Sequence, residues 1–385
     1  MEFIICGDLV PTESNKNYFL SADTDNLLGY ELKNILSNAD YRIFNIETPL
    51  VDTQHPIEKN GPNLFTPIDC INGIKALNPD LVTLANNHIL DQGEIGINST
   101  FRILSEYGIK YLGAGCNLKN AAKPHIVTVK NKVRIGIYAC AEYEFSIATE
   151  NSPGANPFNP LESLDHISNL KKQCDYIIVL YHGGKEHYRY PSPLLQKSCR
   201  KMIEKGATLV ICQHTHCIGC EEKYKNGVII YGQGNFLFDI IDEHNINYDY
   251  WKNGLIIKFI PDISGYNINY IPICKENNVI RLANDTEKKE IMDAFNSRSE
   301  QIKESKFIDE AFKQYSRSLV DHYLTHFNGW VIKKILRVIQ ILLKKNFINI
   351  LYTKKDYLLL QNYFQCESHR EIIINILSNK NISTH

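Results

Sequence analysis

Short apolar runs punctuated by polar, glycine- or proline-containing breaks organise the first two thirds of this chain. Phe3-Ile4-Ile5-Cys6 is stopped by Gly7-Asp8; residues 41–46 are stopped by Glu47-Thr48-Pro49; residues 80–85 run into Asn86-Asn87-His88. Residues 125–129 and 133–140, joined by Lys130-Asn131-Lys132, predict a β-hairpin. Residues 175–181 form the most apolar run and end at His182-Gly183-Gly184, and further runs follow at 208–212, 228–231 and 255–260. Each is of strand length. Between them lie helical stretches: 25–36; a segment placing Phe101, Leu104 and Tyr107 inward and ending at Gly108; and 193–205, with Leu194, Leu195, Cys199, Met202 and Ile203 near one face. Residues 151–160, rich in proline and asparagine, predict a loop. Alternation of this kind predicts an α/β fold.

From about residue 286 the pattern becomes helical throughout, in segments 287–327 and 330–351. The second spaces Val331, Ile335, Val338, Ile339, Leu342 and Leu343 at helical intervals, with Lys333, Lys334, Arg337, Lys344 and Lys345 mostly opposite. Such a basic amphipathic helix either packs on the main domain or a partner helix, or lies on a membrane surface. The expected organisation is one large domain over 1–275 and a helical C-terminal extension over 285–385.

The strand ends carry the chemistry, where open α/β proteins keep it. Two histidines, His214 and His216, flank Thr215 at the end of the 208–212 run. Upstream tips supply Asp8, Glu47, Asn87 and His182, and the 86–93 loop adds His88 and Asp91. A mixed oxygen and nitrogen set suits Zn²⁺, Mn²⁺ or Fe better than Ca²⁺ or Mg²⁺, which prefer oxygen alone. The turn Lys59-Asn60-Gly61-Pro62-Asn63 is a surface loop or a holder for a substrate anion. Cys217-Ile218-Gly219-Cys220 has no second CxxC to complete a structural zinc site, so these thiols read as incidental.

Charge narrows the picture. With 42 Lys+Arg against 43 Asp+Glu there is no global field to draw nucleic acid. Eleven cysteines, mostly scattered, read as reduced thiols. The first residues enter a strand at once, without the basic and apolar segments of a signal peptide, and no run of ~18 apolar residues follows. The expectation is a cytoplasmic protein, with peripheral membrane contact through 330–351 left open.

Six ordered motifs then carry a family resemblance: Gly7-Asp8; Asn45-Ile46-Glu47-Thr48-Pro49; Asn86-Asn87-His88 with Asp91 and Gly93; His182 with Gly184 and Glu186; His214-Thr215-His216; and Gly234-Asn235-Phe236. Over roughly residues 1–260 the chain resembles the CapA family of bacterial capsule and poly-γ-glutamate synthesis proteins, itself similar to calcineurin-like metallophosphoesterases. The resemblance implies a four-layer α/β/β/α sandwich with two divalent transition-metal ions at the strand ends. It casts Asp8 as a first-metal ligand, Glu47 as the bridging carboxylate, and Asn87, His182 and His214 as second-metal ligands, with His216 returning to the first metal. His88 is similar to the histidine that protonates the leaving group, with Asp91 orienting it. Asn45, Asn60, Glu186 and Asn235 are the expected substrate-binding residues. The chain departs from the metallophosphoesterase pattern twice. Val10 stands where a histidine is usual, removing one ligand from the first metal, and Glu47 replaces an aspartate.

Two functions are compatible with this reading. One is a metal-dependent, phosphoesterase-like hydrolase in capsule, poly-γ-glutamate or exopolysaccharide synthesis. The other is a non-catalytic accessory protein that binds the anionic polymer or a capsule synthase complex.

Overall fold

The computed structural model describes residues 1–129, 132–239, 248–276, 278–326, 334–336, 338, 352–365, 369, 370 and 373. The chain divides into two compact units, Met1–Asp309 and Glu310–His385.

Two sheets form the centre of the first unit. One runs in the order Val279–Leu282, Gly265–Glu276, Asn253–Asp262, Phe3–Val10, Tyr41–Ile46, Leu81–Thr83, Tyr111–Leu112, and Asn235–Phe238 also pairs with Phe3–Val10. The other runs Glu221–Tyr224, Gly227–Tyr231, Leu209–Gln213, Tyr176–His182, Arg134–Ala141, His125–Thr128. Alternating side chains of the second sheet serve two cores, as the period of two requires. Ile135, Ile137, Ile178, Leu180, Leu209, Ile211, Val228 and Ile230 join the core that holds Phe3, Ile5, Ile43 and Ile257 of the first sheet. Their neighbours Tyr138, Ile177, Val179, Val210, Cys212 and Ile229 pack with Leu170, Cys199 and Met202 from the helices Ser163–Lys171 and Pro193–Glu204. Phe19, Leu32, Leu36, Ile74, Ile97 and Leu104 bring helices onto the first sheet. Each such buried apolar side chain contributes roughly 1.5–3 kcal/mol. The result is the four-layer α/β/β/α sandwich expected from the resemblance.

Parallel pairing sets the strand tips side by side. Asp8 lies opposite Asn45 on one flank and Asn235 on the other. In the second sheet His182 lies opposite Ala141 and Gln213. Gly7 is required for this: a Cβ there would sit 2.1 Å from the Gly234 carbonyl oxygen.

Several local expectations change. The 25–36 helix is two, Thr24–Leu27 and Tyr30–Asn38, broken where Gly29 N–H donates to the Ile280 carbonyl at 2.8 Å. The helix Gly93–Glu106 buries Ile97, Ile103 and Leu104 but leaves Tyr107 exposed beyond its end; Gly108 follows at φ +66°. Leu194, at the start of Pro193–Glu204, faces solvent. The 151–160 loop is tied down: Gly154–Ala155 pairs with Ala114–Gly115. The expected 287–327 helix is three, Asp285–Gln301, Phe307–Ser318 and Val320–His326, with Lys306 at φ 71° in the first break. Asp285–Gln301 belongs to the first unit, where its Ile291 and Phe295 pack with Leu255 and Cys274.

In the second unit Leu324, Leu336, Tyr352 and Leu360 pack together. Of the amphipathic 330–351 stretch, only 334–336 and 338 fall among the described residues; there Leu336 is buried while Ile335 and Val338 are exposed. Among the described residues no helix is long and apolar enough to cross a membrane.

Candidate metal centre and cleft

Asp8, Glu47, His182, His214 and His216 converge, all at most 7% exposed. Three sets of ligand atoms lie within 4.8 Å of one another: Glu47, His182 and His214; Asp8, Glu47 and His216; Glu186, His214 and His216. Asn87 completes the group, its Oδ1 accepting from His182 Nε2 at 3.0 Å. The two sheets supply opposite walls, so residues far apart in sequence meet only through the sandwich. The turn after Leu209–Gln213 bends sharply to present its histidines, with φ 80° at His214 and 54° at His216. Such left-handed conformations in non-glycine residues cost ~1–3 kcal/mol each and gather at functional sites.

A scaffold of amides holds the set. Asn45 Nδ2 donates to Asp8 Oδ1 at 2.7 Å and reaches His182 Nδ1 at 3.2 Å. Asn86 Nδ2 donates to Asn45 Oδ1 at 3.1 Å. Asp8 Oδ2 accepts from the His214 backbone N–H at 3.2 Å, and Asn235 Oδ1 lies 2.9 Å from His216 Nδ1. Asn45 is fully buried against Asp8 and His182, while Asn60 and Glu186 line the open cleft.

Glu47 is the anomaly. It is fully buried, and neither carboxylate oxygen takes a hydrogen bond, although His182 Nε2 lies 3.2 Å from Oε1. His214 Nδ1 is also buried without a partner. Burial pushes the Glu47 carboxyl up to about 8. Burial and then the Glu47 charge push Asp8 up to about 6. Burial holds His182 down to about 4 and keeps His214 and His216 below the usual imidazole value. Neutral imidazoles around carboxylates that lack a counter-charge fit divalent transition-metal ions. Val10 contributes nothing polar: it packs with Leu64, Phe238 and Trp251.

A cleft of about 670 Å³ opens above this floor, lined by Lys59, Asn87, His88, Lys185, His214 and His216 among others. His88 Nδ1 lies 2.6 Å from Asp91 Oδ2, which also accepts from the Leu64 backbone N–H at 2.6 Å. Lys59, its side chain only 4% exposed, pairs with the other Asp91 oxygen. The sequence placed Lys59 in a turn but carried no sign of this pairing. No motif in the sequence marks Trp251, yet it stacks on His216 and donates from Nε1 to His187 Nε2 at 2.9 Å. Cys217 and Cys220 are buried, and among the described residues neither joins a metal-type cluster.

The family model described as bacterial capsule synthesis protein PGA_cap matches residues 2–240, a span holding all the metal-type residues above. The chain belongs to this family. Within it, the chain is 31% identical over 213 residues to the capsule biosynthesis protein CapA of Bacillus anthracis, covering 53% of this chain and 52% of that protein. It is 28% identical over 228 residues to the PGA biosynthesis protein CapA of Bacillus subtilis, covering 57% and 60%. A probable polyglutamine synthesis accessory protein of Mycobacterium tuberculosis is 27% identical over 188 residues, 46% and 48% of the two chains. The chain thus matches little more than half the length of its CapA relatives. Among solved structures it is similar to a hypothetical protein from Thermus thermophilus, with TM-score 0.44 at 12% identity over 70% of this chain and 99% of that one. A 5'-nucleotidase from Candida albicans gives TM-score 0.36 at 12% identity over 78% and 58%.

Proposed function

We propose that this PGA_cap protein is a metal-dependent hydrolase of the phosphoesterase type, acting in capsule, poly-γ-glutamate or exopolysaccharide synthesis. The observation that carries the reading is Glu47: a buried carboxylate with both oxygens unpartnered, ringed by Asp8, His182, His214 and His216. Asp8, Glu47 and His216 would hold one divalent ion, and Glu47, Asn87, His182 and His214 the other. Bound there, the ions supply Lewis acidity and an acidified water.

The chain's own residues do the rest. Asp91 fixes the His88 proton on Nδ1, which leaves Nε2 for the cleft that His88 lines. Protonated, His88 delivers a proton from Nε2 to the departing oxygen. Lys59 holds the second Asp91 oxygen and so fixes the pair. Lys185 and Asn60, also on the cleft wall, suit an anionic substrate, whether a phosphoester or a charged polymer. Turnover of bis-p-nitrophenyl phosphate by protein loaded with Zn²⁺ or Mn²⁺, and its loss in His88→Ala, tests this reading.

One observation favours a second reading, the non-catalytic accessory protein that binds polymer or a synthase complex. Val10 fills with apolar packing the position where phosphoesterases carry a ligand. Loaded wild-type protein that binds polymer but turns over no phosphoester establishes it. Peripheral contact with the inner membrane through 330–351 belongs to either reading, and co-sedimentation with anionic vesicles tests it.

A further inference from the structure

A second cleft, of about 360 Å³, lies beside the first. The two share no lining residue, but Trp251 lines the strand-tip cleft while its neighbours Tyr250 and Lys252 line this one. Its wall carries two half-buried guanidinium groups. Arg189 comes from the loop after His187 and sits 4.8 Å over the Tyr250 ring. Arg298 comes from the helix Asp285–Gln301.

Both arginines donate to the same backbone oxygen. Arg189 Nη1 and Arg298 Nη2 each reach the Ile218 carbonyl at 3.2 Å, and Arg298 Nε reaches Gly219 O at 2.8 Å. Among the described residues no carboxylate lies within ion-pair distance of either guanidinium, or of the exposed Lys252. The acid Glu287 on the rim is already held by Arg281, at 2.7 and 2.9 Å. Glu290 also lines the cleft and opposes an anion there. Two cations side by side, partly withdrawn from water and paired with no acid, are costly to fold together. Burial and then the Arg189 charge hold Arg298 below its ordinary value. A guanidinium has five N–H donors, so most remain to be used after three contacts between the two. Asn253 also lines this wall, its buried side-chain oxygen without a hydrogen-bond partner.

We propose that the Arg189–Arg298–Lys252 cleft binds an oxyanion, at a site separate from the strand-tip centre. Phosphate and carboxylate both match the planar guanidinium fork. The sources of such a ligand are a phosphoester or the side chains of an acidic polymer. Because the bound oxygen of Ile218 lies two residues from His216, an occupied cleft adjoins the turn that carries the metal-type histidines.

The test is calorimetric titration of the full chain in EDTA, so that the strand-tip centre holds no ion. The probes are inorganic phosphate and a γ-linked glutamate oligomer. Binding of either is expected at one site, weakening with added NaCl, and at least ten-fold weaker in Arg189→Gln and in Lys252→Glu. Glu290→Gln is expected to tighten it. Thermal melts of the variants matching wild type exclude misfolding, and the exposed Lys252 supplies a substitution that the core does not feel. Binding of phosphate alone assigns a phosphoester source; binding of the oligomer alone assigns the polymer. Failure of folded wild type to bind either probe overturns the site, as does affinity unchanged in both charge variants.

Discussion

Trp251 lies flat on His216, with ring centroids 4.3 Å apart and planes 19° from parallel. Any change in the charge or ligation of that imidazole is therefore felt directly by an indole. Titration of metal-free protein with Mn²⁺ is expected to quench Trp251 emission in a saturable way. The same titration of His216→Ala leaves emission unchanged if His216 is the reporter; an unaltered quench in that variant rejects it as a ligand.

Elemental analysis of purified protein should find about two divalent ions per chain. His214→Ala is expected to halve that content. Wild-type protein that takes up neither Zn²⁺ nor Mn²⁺ counts against the metal centre altogether.

His88 and Asp91 separate chemistry from metal binding. His88→Ala should lower turnover of a phosphoester by ~10²–10⁴-fold, the usual contribution of a positioned acid, with metal content intact. Asp91→Asn is expected to fall in the same direction. Normal rates in His88→Ala would remove it from the proton path.

The unpartnered Glu47 predicts an unusual pH profile in EDTA. Its folded value of about 8 lies above the ordinary 4.5, so between those values the folded state binds more protons than the unfolded one. Stability then falls as pH rises through that window. His182, held down to about 4 against 6.5, acts oppositely and adds stability with rising pH up to about 6.5. Asp8, raised to about 6, works in the Glu47 sense below that value. Above pH 6.5 the Glu47 effect stands uncompensated by His182. Melting temperature of metal-free protein is thus expected to drop between pH 6.5 and 8, and Glu47→Gln to flatten the drop. A rise in both proteins refutes it.

Gly7 offers a purely structural check. A methyl group placed 2.1 Å from the Gly234 carbonyl forces the paired strands apart. Gly7→Ala should cost roughly 1–3 kcal/mol in denaturant unfolding, as overpacking does, and loosen the Asp8 and Asn235 tips together. A neutral substitution would mean that the strands re-space freely.

The hydrophobic pattern by itself determined the strand–helix alternation, the buried strands and the clustering of metal-type side chains at their ends. Burial writes a period of two or 3.6 into local sequence, and strand termini are local too. It also marked His88 and Asp91, three residues apart in one loop. Other features were decided only by packing. Lys59 reaches Asp91 across 32 positions, and Trp251 meets His216 across 35, pairings that leave no periodic trace. Helix breaks at Gly29 and Lys306 likewise follow from local backbone and long-range contacts that propensity does not carry. Above all, the loneliness of Glu47 is tertiary. Its residue type was legible, but that both oxygens would be sealed from water without a donor depends on how two sheets, one built from residues 3–112 and 235–282 and the other from the intervening 125–231, close over it.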